Sequence, residues 1–416
     1  MATAQQPWRR RTAAHGAALV VSATLALALA GCGGGGDTPT TTSVTTTTAT
    51  ATTTMVPVFN CTSSVSLNTS WTAIGQKGMA VDDMTLSQCP DELLGLWPHA
   101  GASRVSSLRL FAPWKPEWGL NDTKRNQTWL KLKRFVEATD AKVLLGSGVS
   151  CDSNSDDQQW QWALQLMDIL GADRLMGVAL GNEMDNFPNC IPGFWTGKFF
   201  GIFQKRVADM DAHGFSGVKV TTVWAMGAIA QHPFNGKIMS FLKQVHRTWG
   251  QRWAWTFNPY PIWDVSQFPT SKANCKAKTD GAVSMTYTIN VMKETRKRMM
   301  EFTGMDNDTL WVGESGWSSP EVATQKAIAN FCPYWAAQEV LMEYYQGIMA
   351  WNLSLPGVQG VDHLFYFTMR DACQNGICEH FGLVGKCGDA SCKLQGPGVR
   401  GAPPDHEAMP STLVTV

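Results

Sequence analysis

The sequence LMGVAL at residues 175–180 runs directly into Gly-Asn-Glu at residues 181–183. A short apolar run that ends at glycine is typical of a strand buried on both faces and followed by a loop. The arrangement recurs in WVGESGW at residues 311–317, where an apolar pair precedes glycine and Glu314. The two glutamates, Glu183 and Glu314, are therefore each predicted to lie at the carboxyl end of a buried strand.

Further apolar runs of strand length recur along the chain, and the gaps between them are long enough to hold a crossover helix. Parallel strands joined by helices build either a closed barrel or an open doubly wound sheet. Seven runs, with a weakly marked first strand between residues 65 and 81, favour a (β/α)8 TIM barrel, and the open sheet is the alternative. The predicted strands are residues 105–111, 142–146, 176–180, 218–223, 253–257, 309–313 and 363–368.

Three of the gaps carry apolar residues at helical spacing with polar residues between them. These stripes predict amphipathic helices whose apolar faces pack on the sheet. Gly250 follows the third stripe at the position of a helix cap. The stripes are Trp129, Leu132, Phe135 and Val136; Trp160, Ala163, Leu164, Met167 and Leu170; and Ile238, Phe241, Leu242 and Val245.

The carboxyl ends of all strands meet at one face of a barrel, and the active sites of such barrels lie there. Glu183 and Glu314 would then stand about three βα units apart, on opposite arcs of the ring. A single glutamate in such a loop is more often a solvated residue or a charge at a helix N-terminus. Two glutamates in equivalent places, behind glycine and among Asn, Ser and Trp, favour the paired carboxylates that cleave a glycosidic bond.

The composition is that of a folded protein with a sizeable core, with 44% hydrophobic residues among 416. Lys plus Arg equals Asp plus Glu at 34 each, so the net charge favours neither nucleic acid nor an anionic membrane as partner. The 18 tryptophans outnumber the 6 tyrosines. They fit core packing, which is the commoner use of Trp, or apolar platforms for sugar rings.

Residues 1–30 predict a signal peptide, with three arginines at residues 9–11, an apolar run and a cleavage site after Ala30. The apolar run is shorter than a membrane-spanning helix requires. Residues 29–32, Leu-Ala-Gly-Cys, also fit a bacterial lipoprotein box, in which a lipid on Cys32 would tether the protein to a membrane. We therefore expect a secreted or cell-surface protein, with the lipid-anchored form as the alternative.

Three further segments follow the signal peptide. Residues 31–55 are rich in Gly and Thr and predict a disordered linker, because they cannot bury apolar surface. Residues 56–395 have a globular composition and form the predicted catalytic domain. Residues 396–416 are rich in Pro, Gly and small residues and predict a disordered tail. Six glycosylation sequons favour a eukaryotic secretory route, at Asn60, Asn68, Asn121, Asn126, Asn307 and Asn352.

Ten cysteines remain when Cys32 is set aside, an even number that allows up to five disulfide bonds in an exported chain. Cys151 and Cys190 follow the third and fourth predicted strands and would join neighbouring loops. Four later cysteines predict two disulfide bonds that fasten the last loop, because their spacing is wider than that of most structural zinc pairs. These four are Cys373, Cys378, Cys387 and Cys392.

The sequence contains no dinucleotide fingerprint, phosphate loop or serine nucleophile elbow. Its histidines lack the spacing of metal ligands. We therefore expect no cofactor, no metal and no nucleic-acid partner, and no protein partner is implied.

Five boxes of this sequence resemble glycoside hydrolase family 17, the β-1,3-glucanases of a large clan of barrel enzymes. They occur in the family's order, so the similarity extends over most of residues 60–385. The resemblance implies a (β/α)8 barrel with its acid/base on strand four and its nucleophile on strand seven. The boxes are residues 107–113, 178–183, 257–261, 311–318 and 365–383.

By this resemblance Glu183 is the general acid/base and Glu314 the nucleophile of a retaining double displacement. Asn182 is expected to bind a sugar 2-hydroxyl, and Tyr260 to keep the nucleophile ionised. The chain departs from the family at Ala372, where the family has an acidic residue. The expected substrate-binding residues are Asn182, Tyr260, Trp317, Asp371, Glu379, Trp114 and Arg109.

The sequence thus predicts a secreted retaining β-glucan hydrolase, most closely a glucan endo-1,3-β-glucosidase, with a β-glucan polysaccharide or oligosaccharide as its partner. A β-1,3-glucan transglycosylase would use the same pair and pass the sugar to another sugar rather than to water. A non-catalytic glucan-binding wall protein is the alternative from another class of protein. The presence of both carboxylates argues against it. Cleavage of β-1,6 or mixed-linkage glucans stays open.

Overall fold

The computed structural model describes residues 76–95, 106–119, 121–188, 190–320, 325–374, 377–389 and 391–394. The predicted signal peptide, the Gly/Thr-rich linker and the C-terminal tail lie outside the described residues. Within the described residues, no helix has both the length and the apolar character that a membrane span requires.

Nine parallel strands form the main sheet. In ring order β1 lies between β2 and β9, and the sequence of neighbours is β5, β4, β3, β2, β1, β9, β8, β7, β6. The strands are β1 (Gln76–Val81), β2 (Ser107–Leu110), β3 (Lys142–Ser147), β4 (Leu175–Leu180), β5 (Lys219–Thr221), β6 (Val223–Ala225), β7 (Ala254–Asn258), β8 (Thr309–Ser315) and β9 (His363–Phe367).

The two ends of this order, β5 and β6, are consecutive halves of one extended segment interrupted at Thr222. β5 pairs with β4, β6 pairs with β7, and Val220 forms a parallel bridge to Trp253 just before β7. The sheet therefore closes into a barrel of eight staves, in which β8 is the seventh and β9 the eighth. The predicted (β/α)8 barrel is confirmed, and the open doubly wound sheet is excluded.

The predicted strands match the observed ones within a few residues, with two differences. Of the weakly marked first strand the structure describes Gln76–Val81, the last part of the predicted interval, and residues 65–75 lie outside the described residues. The predicted strand at residues 218–223 is split at Thr222, and its second half extends to Ala225. The strands are buried on both faces because helices cover the outside and side chains fill the inside, which is why they read as apolar runs without alternation.

Helices follow the strands around the barrel and cover its outer face. The helices are α1 (Asp83–Gln88), α2 (Pro90–Gly95), α3 (Asp122–Thr139), α4 (Ser153–Leu170), α5 (Phe199–Ala212), α6 (Met239–Trp249), α7 (Cys275–Val283), α8 (Met285–Thr303), α9 (Lys326–Phe331) and α10 (Gln338–Ala350).

The three predicted amphipathic helices are confirmed as α3, α4 and α6. Asn121 and Asp152 cap the starts of α3 and α4: the Asn121 side chain accepts one hydrogen bond from a backbone N–H of the first turn, and the Asp152 side chain accepts two. Gly250 ends α6 as predicted, with φ 46°. Ile238 lies just outside α6, as its N-terminal cap residue, rather than within the helix.

The loop that follows β9 contains a two-stranded antiparallel hairpin, β10 (Ala372–Gln374) and β11 (Ile377–Glu379). A disulfide bond joins Cys387 of this loop to Cys89, which directly follows α1. The prediction that Cys387 pairs within its own loop was therefore wrong. The pairing across the chain is possible because β1 and β9 are neighbours in the closed ring.

Two further disulfide bonds are described. Cys151 and Cys190 are joined as predicted and connect the loops after β3 and β4. Cys275 and Cys332 are also joined, a pair that the sequence did not single out.

Candidate active site

Glu183 and Glu314 lie at the same end of the barrel, on its fourth and seventh staves. Glu183 follows β4 and begins a short turn, whereas Glu314 is the penultimate residue of β8. The strand therefore extends two residues further than the predicted end at residue 313. Both side chains are almost fully enclosed, with 7% and 5% of the residue surface exposed.

The Asn258 side chain, at the end of β7, joins the two glutamates. Its Nδ2 donates to Oε1 of Glu314 at 2.9 Å and to Oε1 of Glu183 at 3.2 Å. Because one nitrogen contacts both oxygens, these two oxygens lie at most about 6 Å apart, in the range of a retaining rather than an inverting pair of carboxyl groups.

Glu314 accepts hydrogen bonds at both of its carboxylate oxygens. Arg109 Nη1 donates to Oε1 at 2.9 Å, alongside the bond from Asn258, and the Tyr260 hydroxyl donates to Oε2 at 2.9 Å. Three donors, one of them a guanidinium, are the surroundings that stabilise a carboxylate anion. The fixed bonds also hold the carboxylate in one orientation.

Arg109 extends from β2 and connects Glu314 with the turn that carries Glu183. Its Nη2 donates to Oδ1 of Asn182 at 2.7 Å, and its guanidinium lies 4.4 Å from the centre of the Phe111 ring. Burial lowers the pKa of Arg109 from its ordinary value, although Glu314 opposes the shift. The forked guanidinium thus links the strand ends that bear the two glutamates.

The surroundings of Glu183 differ from those of Glu314. Burial, and next the neighbouring Glu314 carboxylate, raise the pKa of Glu183 to about 8, against the hydrogen bond from Asn258. A carboxyl group with this pKa stays protonated at neutral pH and can donate a proton. The two carboxyl groups of the site therefore stand in different surroundings.

The Tyr260 hydroxyl is held as a donor. Burial raises its pKa well above the ordinary value, and the adjacent Glu314 carboxylate adds to the shift. The phenol therefore keeps its proton and offers it to Glu314 as a hydrogen bond. This geometry agrees with the expectation that Tyr260 supports the ionised form of Glu314.

Two glycines make room for the site. A Cβ at position 313 would lie 2.7 Å from Asn258 Oδ1 and 3.0 Å from Arg109 Nη1, so glycine lets both polar groups reach Glu314. Gly181 has φ 82°, and a Cβ there would lie 2.4 Å from Met184 Sδ. Glu183 itself has φ 49° and ψ 48°, a left-handed conformation that costs a non-glycine residue of order 1 kcal/mol or more.

Two tryptophans that were predicted to bind substrate lie in the packed interior. Trp317 is 0% exposed, and its indole N–H donates to the Trp335 carbonyl. Trp114 is buried against Trp118, and its N–H donates to the Gly119 carbonyl. The prediction of direct substrate contact by Trp114 and Trp317 was therefore wrong. Both rings fill space beside the strand ends instead.

The other two predicted substrate-binding residues belong to the loop after β9. Asp371 is buried and accepts hydrogen bonds from Lys393 Nζ at 2.7 Å and from the Gly382 N–H at 2.8 Å. These bonds fasten the loop, so the structure gives Asp371 a structural role there. Glu379 is half-buried at the end of β11.

Sequence reasoning gave no role to Asn258, although it lies in one of the recognised boxes. Its position directly after the predicted strand at residues 253–257 was the available signal, and in the structure it is the last residue of β7. Aromatic side chains around the site were missed as well. The Phe381 ring contacts Tyr260 and Trp263, and the Phe367 ring contacts Phe111. Among these rings, those of Phe111 and Trp263 are half-buried.

Among the described residues, no cluster of His, Cys, Asp and Glu has the geometry to hold a metal ion. The chemistry available to the site is that of its own side chains: one carboxyl group that can donate a proton, one carboxylate that can attack, and donors that fix both.

No family model matches the sequence, and no curated protein matches it either. Solved structures do match. An endo-laminarinase from Formosa is 14% identical with a TM-score of 0.50, and the match covers 76% of this chain and 85% of that chain. At this identity the likeness concerns the fold alone, and it agrees with the barrel derived from the strand pairing.

Two other solved structures have lower scores. A plant β-glucan endohydrolase is 18% identical with a TM-score of 0.47, and the match covers 74% of this chain and 96% of that chain. A β-1,3-glucanosyltransferase from Rhizomucor miehei, in complex with laminaritriose, is 12% identical with a TM-score of 0.46, covering 77% of this chain and 96% of that chain.

Proposed function

We propose that this protein is a retaining β-glucan hydrolase of the glycoside hydrolase family 17 type, with Glu183 as acid/base and Glu314 as nucleophile. The observation that carries the proposal is the pair of buried carboxyl groups that share Asn258 and stand in opposite electrostatic surroundings. One is surrounded by donors and the other has a pKa raised to about 8. A double displacement requires this difference.

In the first step Glu314 attacks the anomeric carbon while Glu183 gives its proton to the glycosidic oxygen of the leaving sugar. A covalent glycosyl-enzyme forms at Glu314, and Glu183 becomes a carboxylate. In the second step Glu183 takes a proton from a water molecule, whose oxygen displaces Glu314 from the sugar. Arg109 and Tyr260 hold the Glu314 carboxyl group in line for both steps. Their hydrogen bonds stabilise its negative charge before the attack and after the sugar is released.

The β-1,3 linkage is proposed from the resemblance of the five sequence boxes, and the Formosa relative that shares the fold is an endo-laminarinase. The half-buried rings of Phe111 and Trp263 supply apolar surface near the carboxyl groups, on which a sugar face can stack. The proposed partner is therefore a β-1,3-glucan chain or its oligosaccharides.

The proposal is tested by incubating the protein with linear β-1,3-, β-1,6- and β-1,4-glucans and measuring the sizes of the products. Cleavage of the β-1,3-glucan into internal fragments is expected, and Glu314→Gln should abolish it. Cleavage that persists in Glu314→Gln would contradict the assignment of the nucleophile. Products longer than the substrate, at high substrate concentration, would show transfer to a sugar in place of hydrolysis, and binding without any cleavage would show a glucan-binding protein.

The proposed location is the cell exterior, by secretion or attachment to the cell surface. Support comes from the predicted signal peptide at residues 1–30 and from the disulfide bonds Cys151–Cys190 and Cys275–Cys332, which form in oxidising compartments. Mass spectrometry of the mature N-terminus tests it. A chain that begins after Ala30 supports secretion, a lipid on Cys32 supports the anchored form, and an uncleaved N-terminus in the cytosol contradicts both.

A further inference from the structure

We infer that Asp185 is a positioning residue for Glu183. Asp185 ties the turn that bears Glu183 to the fifth stave, and it places a second negative charge behind the Glu183 carboxyl group. This inference rests on the proposed function for its catalytic meaning. Its geometry stands independently of that function, because it concerns only how the turn after β4 is held.

The tether is a direct hydrogen bond from the barrel wall. Asp185 lies two residues after Glu183, in the single turn Met184–Asn186, and is 8% exposed. Its Oδ1 accepts from the backbone N–H of Ala225, the last residue of β6, at 2.7 Å. The turn that carries Glu183 is thus fixed to the neighbouring stave by one buried carboxyl group.

The other oxygen of Asp185 is enclosed without such a bond. Within the described part of the chain, Oδ2 has no hydrogen-bond partner. It lies against Gly227, where a Cβ would come within 2.7 Å of it. Lys237 reaches the same turn, and its Nζ donates to the backbone carbonyls of Asp185 and Phe187 at 3.3 and 3.0 Å.

A tether is needed here because Glu183 has a left-handed backbone conformation that its own residue type does not favour. Such a conformation persists only when the surroundings hold it. The bond to Ala225 and the two bonds from Lys237 supply that hold. The first role of Asp185 is therefore to hold the backbone of the turn that carries Glu183 in place.

Its second effect is electrostatic. The charged and titratable groups that face Glu183 are Glu314 on β8, Arg109 on β2, Tyr260 after β7 and Asp185 on its own turn, and Lys237 faces Asp185. Burial raises the pKa of Asp185 to about 7, against the backbone N–H groups of Ala225, of Asp185 itself and of Ala228 and against the charge of Lys237. Near pH 8 Asp185 is therefore largely ionised, and its charge opposes ionisation of Glu183.

The chain offers a matched control in Asp156, near the start of α4. Like Asp185 it is buried, accepts one backbone N–H, that of Ser150 at 2.6 Å, and has a second oxygen with no hydrogen-bond partner among the described residues. Burial likewise raises its pKa. Asp156 is not among the groups that shift Glu183. Asp156→Asn and Asp185→Asn therefore remove equivalent charges in different places.

The test follows the Glu183 carboxyl group by carbon-13 NMR in protein labelled at the glutamate side-chain carboxyl, with the resonance assigned by its loss in Glu183→Gln. Asp185→Asn keeps an oxygen for the Ala225 N–H and should lower the titration midpoint of Glu183 by roughly 0.5 to 1 pH unit. Asp156→Asn should leave the midpoint unchanged. An equal midpoint in wild type and Asp185→Asn overturns the inference.

A second measurement does not depend on whether Asp185→Asn folds. In Glu314→Gln, Asp185 is the remaining carboxyl side chain described as facing Glu183, so the Glu183 resonance should titrate over a broader pH range than an isolated group, with an apparent Hill coefficient below one. A curve with the width of a single isolated group would overturn the inference. Neither NMR measurement needs catalysis. A protein that cleaves no glucan would contradict the proposed function, but the NMR titrations would still decide whether Asp185 acts on Glu183.

In the active enzyme the alkaline limb of the kcat/KM profile, which reports the free enzyme, should move to lower pH in Asp185→Asn by the same amount as the NMR midpoint. A purely structural role would lower kcat/KM equally at every pH, and this outcome would also overturn the electrostatic part of the inference. Asp185→Ala, which removes the tether as well, should lower kcat further than Asp185→Asn.

Discussion

Glu183 and Glu314 share one hydrogen-bond donor, the Nδ2 of Asn258, although 131 residues separate them in the chain. The shared donor sets the spacing of the two carboxyl groups through a residue that belongs to neither strand. It also binds the ionised and the protonated member of the pair at once, because an amide N–H₂ can donate to either. The spacing of the pair therefore depends on side chains from the second, fourth, sixth and seventh staves together.

Gly313 packs closely against two polar side chains of the site. Gly313→Ala should reduce kcat by roughly 10-fold to 100-fold, because the added methyl group would displace Asn258 and Arg109 from Glu314. Steady-state kinetics on the cleaved glucan measure the loss. Gly281→Ala is the control, since a Cβ at this position on α7 has no atom within 4 Å. Wild-type kcat in Gly313→Ala would show that the predicted crowding has no consequence.

The ion pair between Arg109 and Glu314 is buried, so replacing one member leaves the other as an uncompensated buried charge. Arg109→Met should lower the free energy of unfolding by about 3 to 5 kcal/mol and kcat by at least about 100-fold. Arg109→Lys should retain part of the stability and part of kcat, since lysine keeps the charge but lacks the forked guanidinium that reaches Asn182.

The control for Arg109 is Arg296, a buried arginine at the opposite end of the barrel that donates to the carbonyls of Asp308 and Gly360. Arg296→Met should lower thermal stability but leave kcat of the folded protein near the wild-type value. If the two variants lose equal shares of kcat, Arg109 has no specific role in the site.

The raised pKa of Glu183 predicts a dependence of stability on pH. The carboxyl group ionises near pH 4.5 in the unfolded chain and near pH 8 in the folded protein, so the unfolded state gains stability from ionisation as pH rises between these values. Glu183→Gln removes this penalty. Its Tm should equal that of wild type near pH 4 and exceed it increasingly up to about pH 8.

Thermal melts of both proteins at several pH values measure this difference. Glu137→Gln serves as the control because Glu137 lies on the surface of α3, in a half-exposed pair with Lys133, and its effect should stay within about 0.5 kcal/mol. A Tm difference between Glu183→Gln and wild type that is constant with pH would show that Glu183 ionises normally.

Chemical rescue distinguishes the roles of the two glutamates. In Glu183→Ala, azide should replace the water of the second step, and an aryl glucoside with a good leaving group should give the β-glycosyl azide. In Glu314→Ala, azide should replace the nucleophile and give the α-glycosyl azide. NMR of the azide products identifies the anomers. The reverse assignment of anomers would exchange the two roles.

Much of this site follows from local patterns of the sequence. Glu183 and Glu314 could be placed because each follows an apolar run, and the carboxyl ends of parallel strands meet in a closed barrel. The bond between Cys151 and Cys190 could be placed for the same reason, since the loops after neighbouring strands adjoin. Local periodicity and ring geometry suffice for such features.

Other features depend on tertiary detail that local patterns do not carry. Trp317 was expected to bind sugar, but a Trp ring has the same apolar surface for packing as for stacking, and here it packs against Trp335. The partner of Cys387 is Cys89, 298 residues away, which spacing within the last loop could not reveal. The role of Asn258 also depends on side-chain reach across the barrel.

The central claim is that Glu183 and Glu314 act together as the acid/base and nucleophile of a retaining cleavage. Proton NMR of a linear β-1,3-glucan oligosaccharide, recorded within the first minutes of cleavage, tests it most directly. The β-anomer of the new reducing end should appear first and then equilibrate with the α-anomer. Initial release of the α-anomer would contradict the account, because it would require a water molecule where the structure brings the two carboxyl groups together.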